Sequence, residues 1–290
     1  MPTLAYRVLD VFTDRAYAGN PLAVVLDADD LSTPQLQAVA REFNLSETTF
    51  PLPPTDPATA DYRVRIFTPA QELLFAGHPS IGTAWLLARL GRLSQLGPTG
   101  TGPVRQECGA GILPVEVTAD GATLTGGGPT AGPELDPEPL LAAIGLEGAD
   151  GTGGRPRTCG TGLEWTFLPV AAGAVQRVAP DWAALPRAVS SMGLAAFSWD
   201  ADRRAAHLRA LTDEGWEDPA TGSAALGLGV YLAAAGLVGD GTTAYRISQG
   251  AEIGRPSTLD GTVTVAGGRA ERVTVRGGVI PVATGEIVRP

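Results

Sequence analysis

Three side chains in this sequence can move a proton at neutral pH and stand beside glycine-containing turns. They are Glu47 in Asn44-Leu-Ser-Glu-Thr-Thr-Phe50, His78 in Ala76-Gly-His-Pro-Ser80, and Asp218 in Glu217-Asp-Pro-Ala-Thr-Gly-Ser223. Carboxyl and imidazole groups are the usual general acids and bases of enzymes. Each residue also has an ordinary reading. Glu47 fits a solvated strand residue, His78 a turn histidine with satisfied hydrogen bonds, and Asp218 a turn starter before Pro219. Residue type and spacing leave both readings open at each position.

Two helix starts follow these groups, at Gly77-His78-Pro79-Ser80 and at Thr221-Gly222-Ser223. The first turn of a helix presents unbonded N–H groups and the positive end of its dipole, and glycine lets a carboxylate approach the backbone. Either turn is therefore suited to an anion. The plainer alternative is N-capping by Ser80 and Ser223.

The elements around these turns repeat. Sliding the chain on itself by 145 positions lays the segment from Leu73 to Gly91 over that from Asp218 to Gly236 without a gap, matching Glu72 with Glu217, Gly77 with Gly222, Gly82 with Gly227, Leu87 with Leu232 and Gly91 with Gly236. Each copy reads as strand, turn and helix, with strands over 62–67 and 206–212 and a glycine stop after each helix. Chance agreement between two Gly/Ala-rich helices is the competing explanation. Short strand candidates fill much of the remainder, at 6–12, 22–26, 48–52, 104–107, 112–117, 167–170, 245–248, 261–265 and 273–275. Peripheral helices are expected over 34–43, 137–144 and 180–189, each opening at a proline. The Gly/Pro/Thr-rich stretch 126–139 is the better boundary between halves, and 148–154 reads as a loop.

Bulk properties narrow the function classes. At 290 residues with 44% hydrophobic content the chain can build two cored domains. Lys and Arg number 21 against 31 Asp and Glu, so nucleic acid and anionic membranes are disfavoured as partners. Only Cys108 and Cys159, and only His78 and His207, are present, without metal-ligand spacing, so no metal site is expected and the cysteines read as small buried apolar residues. Residues 219–239 carry no charge, yet their glycines and acidic flanks argue for a helix buried in a domain rather than a membrane span. The N-terminal residues lack a signal-peptide pattern, which makes a cytoplasmic location the expectation.

Five ordered motifs together resemble the PhzF-like phenazine-biosynthesis isomerase family, whose fold is similar to that of diaminopimelate epimerase. They are Ala18-Gly-Asn-Pro-Leu-Ala-Val-Val25, Asn44-Leu-Ser-Glu-Thr-Thr-Phe50, Phe67-Thr-Pro with Glu72-Leu-Leu-Phe-Ala-Gly-His-Pro79, Glu217-Asp-Pro-Ala-Thr-Gly-Ser-Ala224, and Ser248-Gln-Gly with Gly254-Arg-Pro-Ser257. The resemblance runs nearly end to end. It implies an α+β protein of two pseudo-symmetric domains, each a curved, mostly antiparallel sheet or barrel around a central helix. The expected spans are 1–126 plus about 268–290 for one domain and 127–267 for the other, with the active site between them.

The same resemblance implies that Glu47 is the catalytic acid/base, assisted by His78 and Asp218, and that Asn20, Ser46, Gly77, Gly222 and Ser223 line the substrate site with His78. The related epimerase places a cysteine at each helix-start turn. This chain has none there, so thiol-based racemisation is not expected. The expected reaction is a cofactor-independent 1,3-hydrogen shift on a small, amino-acid-derived or secondary-metabolite carboxylic acid, because one carboxyl group in an apolar site can collect a proton from carbon and return it elsewhere. A homodimer is what the resemblance suggests. Two alternatives are a racemase or epimerase using Glu47 and Asp218 as opposed bases, and a non-catalytic member that binds a small acid or a protein. Gln249 and Arg255 read as mainly structural.

Overall fold

The computed structural model describes residues 1–290. The chain divides into two compact units, Met1–Thr125 with Arg276–Pro290, and Gly126–Val275. In chain order the first unit holds β1 (Thr3–Val11), β2 (Asn20–Val25), α1 (Thr33–Phe43), β3 (Glu47–Leu52), β4 (Tyr62–Phe67), β5 (Glu72–Leu73), α2 (Gly77–Arg89), β6 (Gly102–Cys108), β7 (Gly111–Val117) and β8 (Gly121–Thr125). The second holds β9 (Thr130–Glu134), α3 (Pro137–Ala143), β10 (Arg157–Gly160), β11 (Glu164–Pro169), α4 (Ala172–Val175), α5 (Leu185–Ala188), β12 (Gly193–Asp200), β13 (Ala205–Thr212), β14 (Glu217–Asp218), α6 (Gly222–Ala234), β15 (Gly241–Gln249) and β16 (Ser257–Ala266). The last strand, β17 (Arg269–Val288), begins in the second unit and enters the first at Arg276 rather than near residue 268.

In the first unit β17, β1, β2, β3, β4, β6, β7 and β8 pair in that order, and β8 pairs back with β17, so the sheet closes into an eight-stranded barrel. The ladders β2–β3 and β4–β6 are parallel. Closure removes the exposed sheet edge and encloses α2, whose residues from Gly77 to Ala88 are all buried. A helix apolar on every side is stable only inside such a shell.

The second unit repeats the plan. The ladders β10–β11 and β12–β13 are antiparallel, β11–β12 and β13–β15 parallel, and β15–β16 antiparallel, the same order and sense as in the first unit. The helix α6 is buried from Gly222 to Ala233. Its bounds lie 145 positions beyond those of α2 at both ends, as do those of β14 beyond β5. The shared glycine within each helix has a packing cause: a Cβ at Gly82 would stand 2.6 Å from Leu22 Cδ2, and one at Gly227 would stand 2.9 Å from the Phe167 ring. Each central helix can approach its strand only where it has no side chain. The architecture is the α+β, diaminopimelate epimerase-like one that the resemblance implies.

One expected element differs. The helix expected over 180–189 shrinks to Leu185–Ala188, because Pro186 supplies no N–H and the Asp181 carboxyl instead accepts from the Ala183 and Ala184 amides to make a turn. The stretch 126–139 opens the second unit at Gly126, at the boundary expected there, and contains β9, which pairs with β10. No helix is long and apolar enough to cross a membrane.

Candidate active site

In the first unit, three element ends converge. The helix α1 stops at Asn44, which takes the left-handed conformation (φ 50°, ψ 36°) and turns the chain through half-buried Ser46 into β3. Glu47, the first residue of β3, pairs with Leu22 across the parallel β2–β3 ladder. Asn20, fully buried, begins β2 two residues before Leu22. The start of α2 brings His78 to the same place, with Nε2 3.2 Å from Glu47 Oε2.

This contact is not an ion pair. Burial holds the imidazole neutral by lowering its pKa to about 3, even though a hydrogen bond with the Pro21 backbone works in the opposite direction. Nε2 itself is buried without a hydrogen bond in place, which assigns the Pro21 bond to the other ring nitrogen. A ring whose proton serves Pro21 presents a lone pair to the Glu47 carboxyl. Glu47 in its protonated form would have an acceptor beside it.

In the second unit Asp218 ends the two-residue strand β14 and is held to Ala210 of β13. The Thr221 hydroxyl donates to Asp218 Oδ2 at 2.5 Å, and Gly222 and Ser223 open α6 directly afterwards. Neither central helix is capped by a side chain. Ser80 instead donates back to the Ala76 carbonyl (2.8 Å) and accepts from Gln106, while Ser223 accepts from Trp165 Nε1 at 3.0 Å. The capping explanation for these serines is therefore not what they do. Pro79, third in α2, brings no N–H to its own first turn and fits there for that reason.

The chemical groups are distributed unequally over the repeat. His78 occupies the position of Ser223, 145 residues on. Leu22 and Phe167 are equivalent by their packing on Gly82 and Gly227, and the ladder partner of Phe167 is Ala195, so the place of Glu47 is an alanine in the second unit. Conversely Leu73 stands where the second unit has Asp218. Glu47 and His78 thus belong to one unit, and Asp218, Gly222 and Ser223 to the other.

Gln249, expected from sequence to be mainly structural, lies beside Asp218. It is buried, and its amide bonds both Asp218 and Thr221. The sequence carried a signal: Tyr245, Ile247 and Gln249 alternate along β15 as its buried face, which makes Gln249 a polar residue at an inward position. Cys108 and Cys159 are buried and free, and burial pushes the Cys159 thiol up to about 12. No three His, Cys, Asp or Glu side chains gather where they could hold a metal ion.

Comparison with known proteins follows the same lines. The family model described as phenazine biosynthesis-like protein matches residues 9–285. An uncharacterized isomerase of Mesorhizobium japonicum is 36% identical over 99% of both chains. The trans-2,3-dihydro-3-hydroxyanthranilate isomerase of Pseudomonas aeruginosa is 36% identical over 94% of this chain and 95% of its own. A Bacillus anthracis phenazine biosynthesis protein of the PhzF family superposes with a TM-score of 0.87 at 25% identity, covering 99% of this chain and all of that one. The chain belongs to the phenazine biosynthesis-like, or PhzF, family and is an isomerase.

Proposed function

We propose that this isomerase moves a proton between two carbons of a small, cyclic, amino-bearing carboxylic acid, with Glu47 as the group that carries it. Glu47 as a carboxylate takes the proton from carbon, and the electron pair left behind delocalises through the adjacent double bond. The protonated carboxyl then returns the proton two carbons away. Atoms and electrons balance within substrate and enzyme, so the step calls for no redox cofactor. The observation that carries this reading is the 3.2 Å contact between Glu47 and a neutral, buried His78. An acceptor beside the carboxyl supports its protonated form during the transfer. On this reading Asn20, Ser46, Gly77, Gly222 and Ser223 line the substrate, and the uncapped helix starts stabilise its negative charge.

Asp218 takes a different role, since its Oδ2 is already engaged by Thr221 at 2.5 Å. That favours substrate orientation by Asp218 over a second, opposed base. The relatives named as trans-2,3-dihydro-3-hydroxyanthranilate isomerases motivate the choice of substrate class.

The reaction class is tested by incubating the protein with trans-2,3-dihydro-3-hydroxyanthranilate, and with other cyclic amino acids, in D2O under NMR observation. The expected result is a shifted double bond with deuterium at the accepting carbon. Deuterium confined to the original carbon with inversion would replace this reading by racemisation, and tight binding without any exchange would replace it by a binding role.

A further inference from the structure

We propose that Thr221 and Gln249 are positioning residues for Asp218, forming a directed hydrogen-bond relay that fixes one oxygen of its carboxylate. This inference rests on the reading that Asp218 orients the substrate.

A strand of two residues cannot by itself hold a carboxylate in one orientation. Beside Asp218, Gln249 Nε2 donates to the Asp218 carbonyl (2.7 Å) and to Thr221 Oγ1 (2.9 Å), and its Oε1 accepts from the Thr221 backbone N–H (3.2 Å). Flipping the amide would set oxygen against a carbonyl and N–H against N–H, so these backbone partners fix its orientation. The consequence is directional. Because Nε2 only donates, Thr221 Oγ1 is the acceptor in that bond, and its single hydrogen is left for Asp218 Oδ2, 2.5 Å away. All three side chains are buried. Charge-assisted hydrogen bonds of this kind are the strong ones, and a donor already polarised by its neighbour strengthens them further.

Gly250 makes the approach possible. It takes φ +77°, and a Cβ there would lie 2.5 Å from the Pro219 carbonyl oxygen, so only glycine lets the end of β15 close on the turn that follows Asp218. Gln249 and Gly250 thus act together at this turn, and Gly109 makes the same close approach to Leu74 in the first unit.

The repeat separates scaffold from function. Both units hold their short strand with a bidentate Arg–Glu pair: Arg65 with Glu72 (2.7 and 2.6 Å) and Arg209 with Glu217 (2.9 and 2.6 Å). That pair is common framework. The relay is not, for the position of Thr221 in the first unit is Ala76, where the corresponding strand ends in Leu73 and there is no carboxylate to orient. Along the matched ladders the counterpart of Gln249 is Cys108, two residues beyond Gln106, and Gln106 itself bonds Ser80 and Tyr62. Thr221 and Gln249 stand only in the unit that has the carboxylate.

Two measurements test this. The first needs no substrate: in threonine-labelled protein the Thr221 hydroxyl proton is expected to give a slowly exchanging, downfield NMR signal, and its absence overturns the relay. The signal is expected to persist in Glu47→Gln and to disappear in Asp218→Asn and in Gln249→Leu. A signal indifferent to both of those changes overturns the relay. The second is turnover of trans-2,3-dihydro-3-hydroxyanthranilate. Thr221→Val and Gln249→Leu are each expected to lower kcat roughly 100-fold with KM within about threefold, as for a displaced catalytic contact. Thr221→Ser recovers most of the rate, and the double variant is no worse than either single one, because both act through one carboxylate. Melting temperatures of each variant separate this from unfolding. If Asp218→Asn turns over at the full rate, the role given to Asp218 is wrong. If Asp218→Asn is inactive while Thr221→Val is fully active, the role of Asp218 stands and the positioning relay is overturned.

Discussion

His78 Nε2 lies 3.2 Å from Glu47 Oε2 in a setting that keeps the imidazole neutral. The pair joins the first residue of a strand to the second residue of a buried helix. Their approach therefore depends on the parallel β2–β3 ladder and on how closely α2 can lie against β2. Chemistry and packing meet in the same few residues.

The neutrality of His78 has a consequence for acid stability. Its folded pKa of about 3 lies below the ordinary value of 6.5, so between those values the unfolded chain binds the extra proton. The stabilisation is complete above pH 6.5 and is lost as pH falls towards 3, at up to about 1.4 kcal/mol per pH unit. Urea unfolding at pH 6.5, 5.5 and 4.5 is expected to show a weaker pH dependence for His78→Asn than for the unmodified protein. Identical slopes would mean that the imidazole is charged in the fold.

Gly227→Ala is expected to destabilise the protein, against the usual direction. Alanine in place of a helical glycine normally stabilises by up to about 1 kcal/mol. Here the new methyl would meet the Phe167 ring at 2.9 Å and the Cys159 carbonyl oxygen at 3.0 Å, and overpacking of this kind costs about 1–3 kcal/mol. Gly82→Ala, facing Leu22 and Val11, should behave likewise. A raised denaturation midpoint in either variant would contradict the packing account of the repeat.

The two Arg–Glu pairs should differ in worth although their geometry is the same. Arg209 and Glu217 are 8% and 6% exposed, and Arg209 Nη1 also donates to the Val178 carbonyl at 2.7 Å. Arg65 and Glu72 are 23% and 36% exposed. Breaking a buried pair strands a charge and costs about 3–5 kcal/mol, whereas an exposed pair contributes about 0–1 kcal/mol. Glu217→Gln should lower the melting temperature far more than Glu72→Gln. Equal losses would show that solvent reaches both pairs alike.

Much of this was legible in the sequence because a duplicated helix leaves its glycines behind. Gly77, Gly82 and Gly91 recur at Gly222, Gly227 and Gly236, and the helix bounds follow them. The strand β12 was not legible. Leu194 and Ala196 face α3–α5 on one side, while Phe197 packs on Tyr231 of α6 on the other, so no apolar alternation marks it as a strand. The relay beside Asp218 was hidden for another reason: Gln249 stands 31 residues from Asp218, and a hairpin explains its neighbouring glycine equally well. Glu47, His78 and Asp218 were recognisable as candidates by residue type and resemblance. Only the structure supplies the contact that joins the first two.

The most direct test of the central claim is the rate at which Glu47→Gln carries deuterium from D2O into a substrate that the unmodified protein isomerises. Glutamine keeps the shape of the side chain and removes its ability to take up a proton. The expected result is a loss of exchange of about 100- to 10,000-fold with the fold intact by circular dichroism. Exchange at an undiminished rate in Glu47→Gln would contradict the account and move the proton to another group.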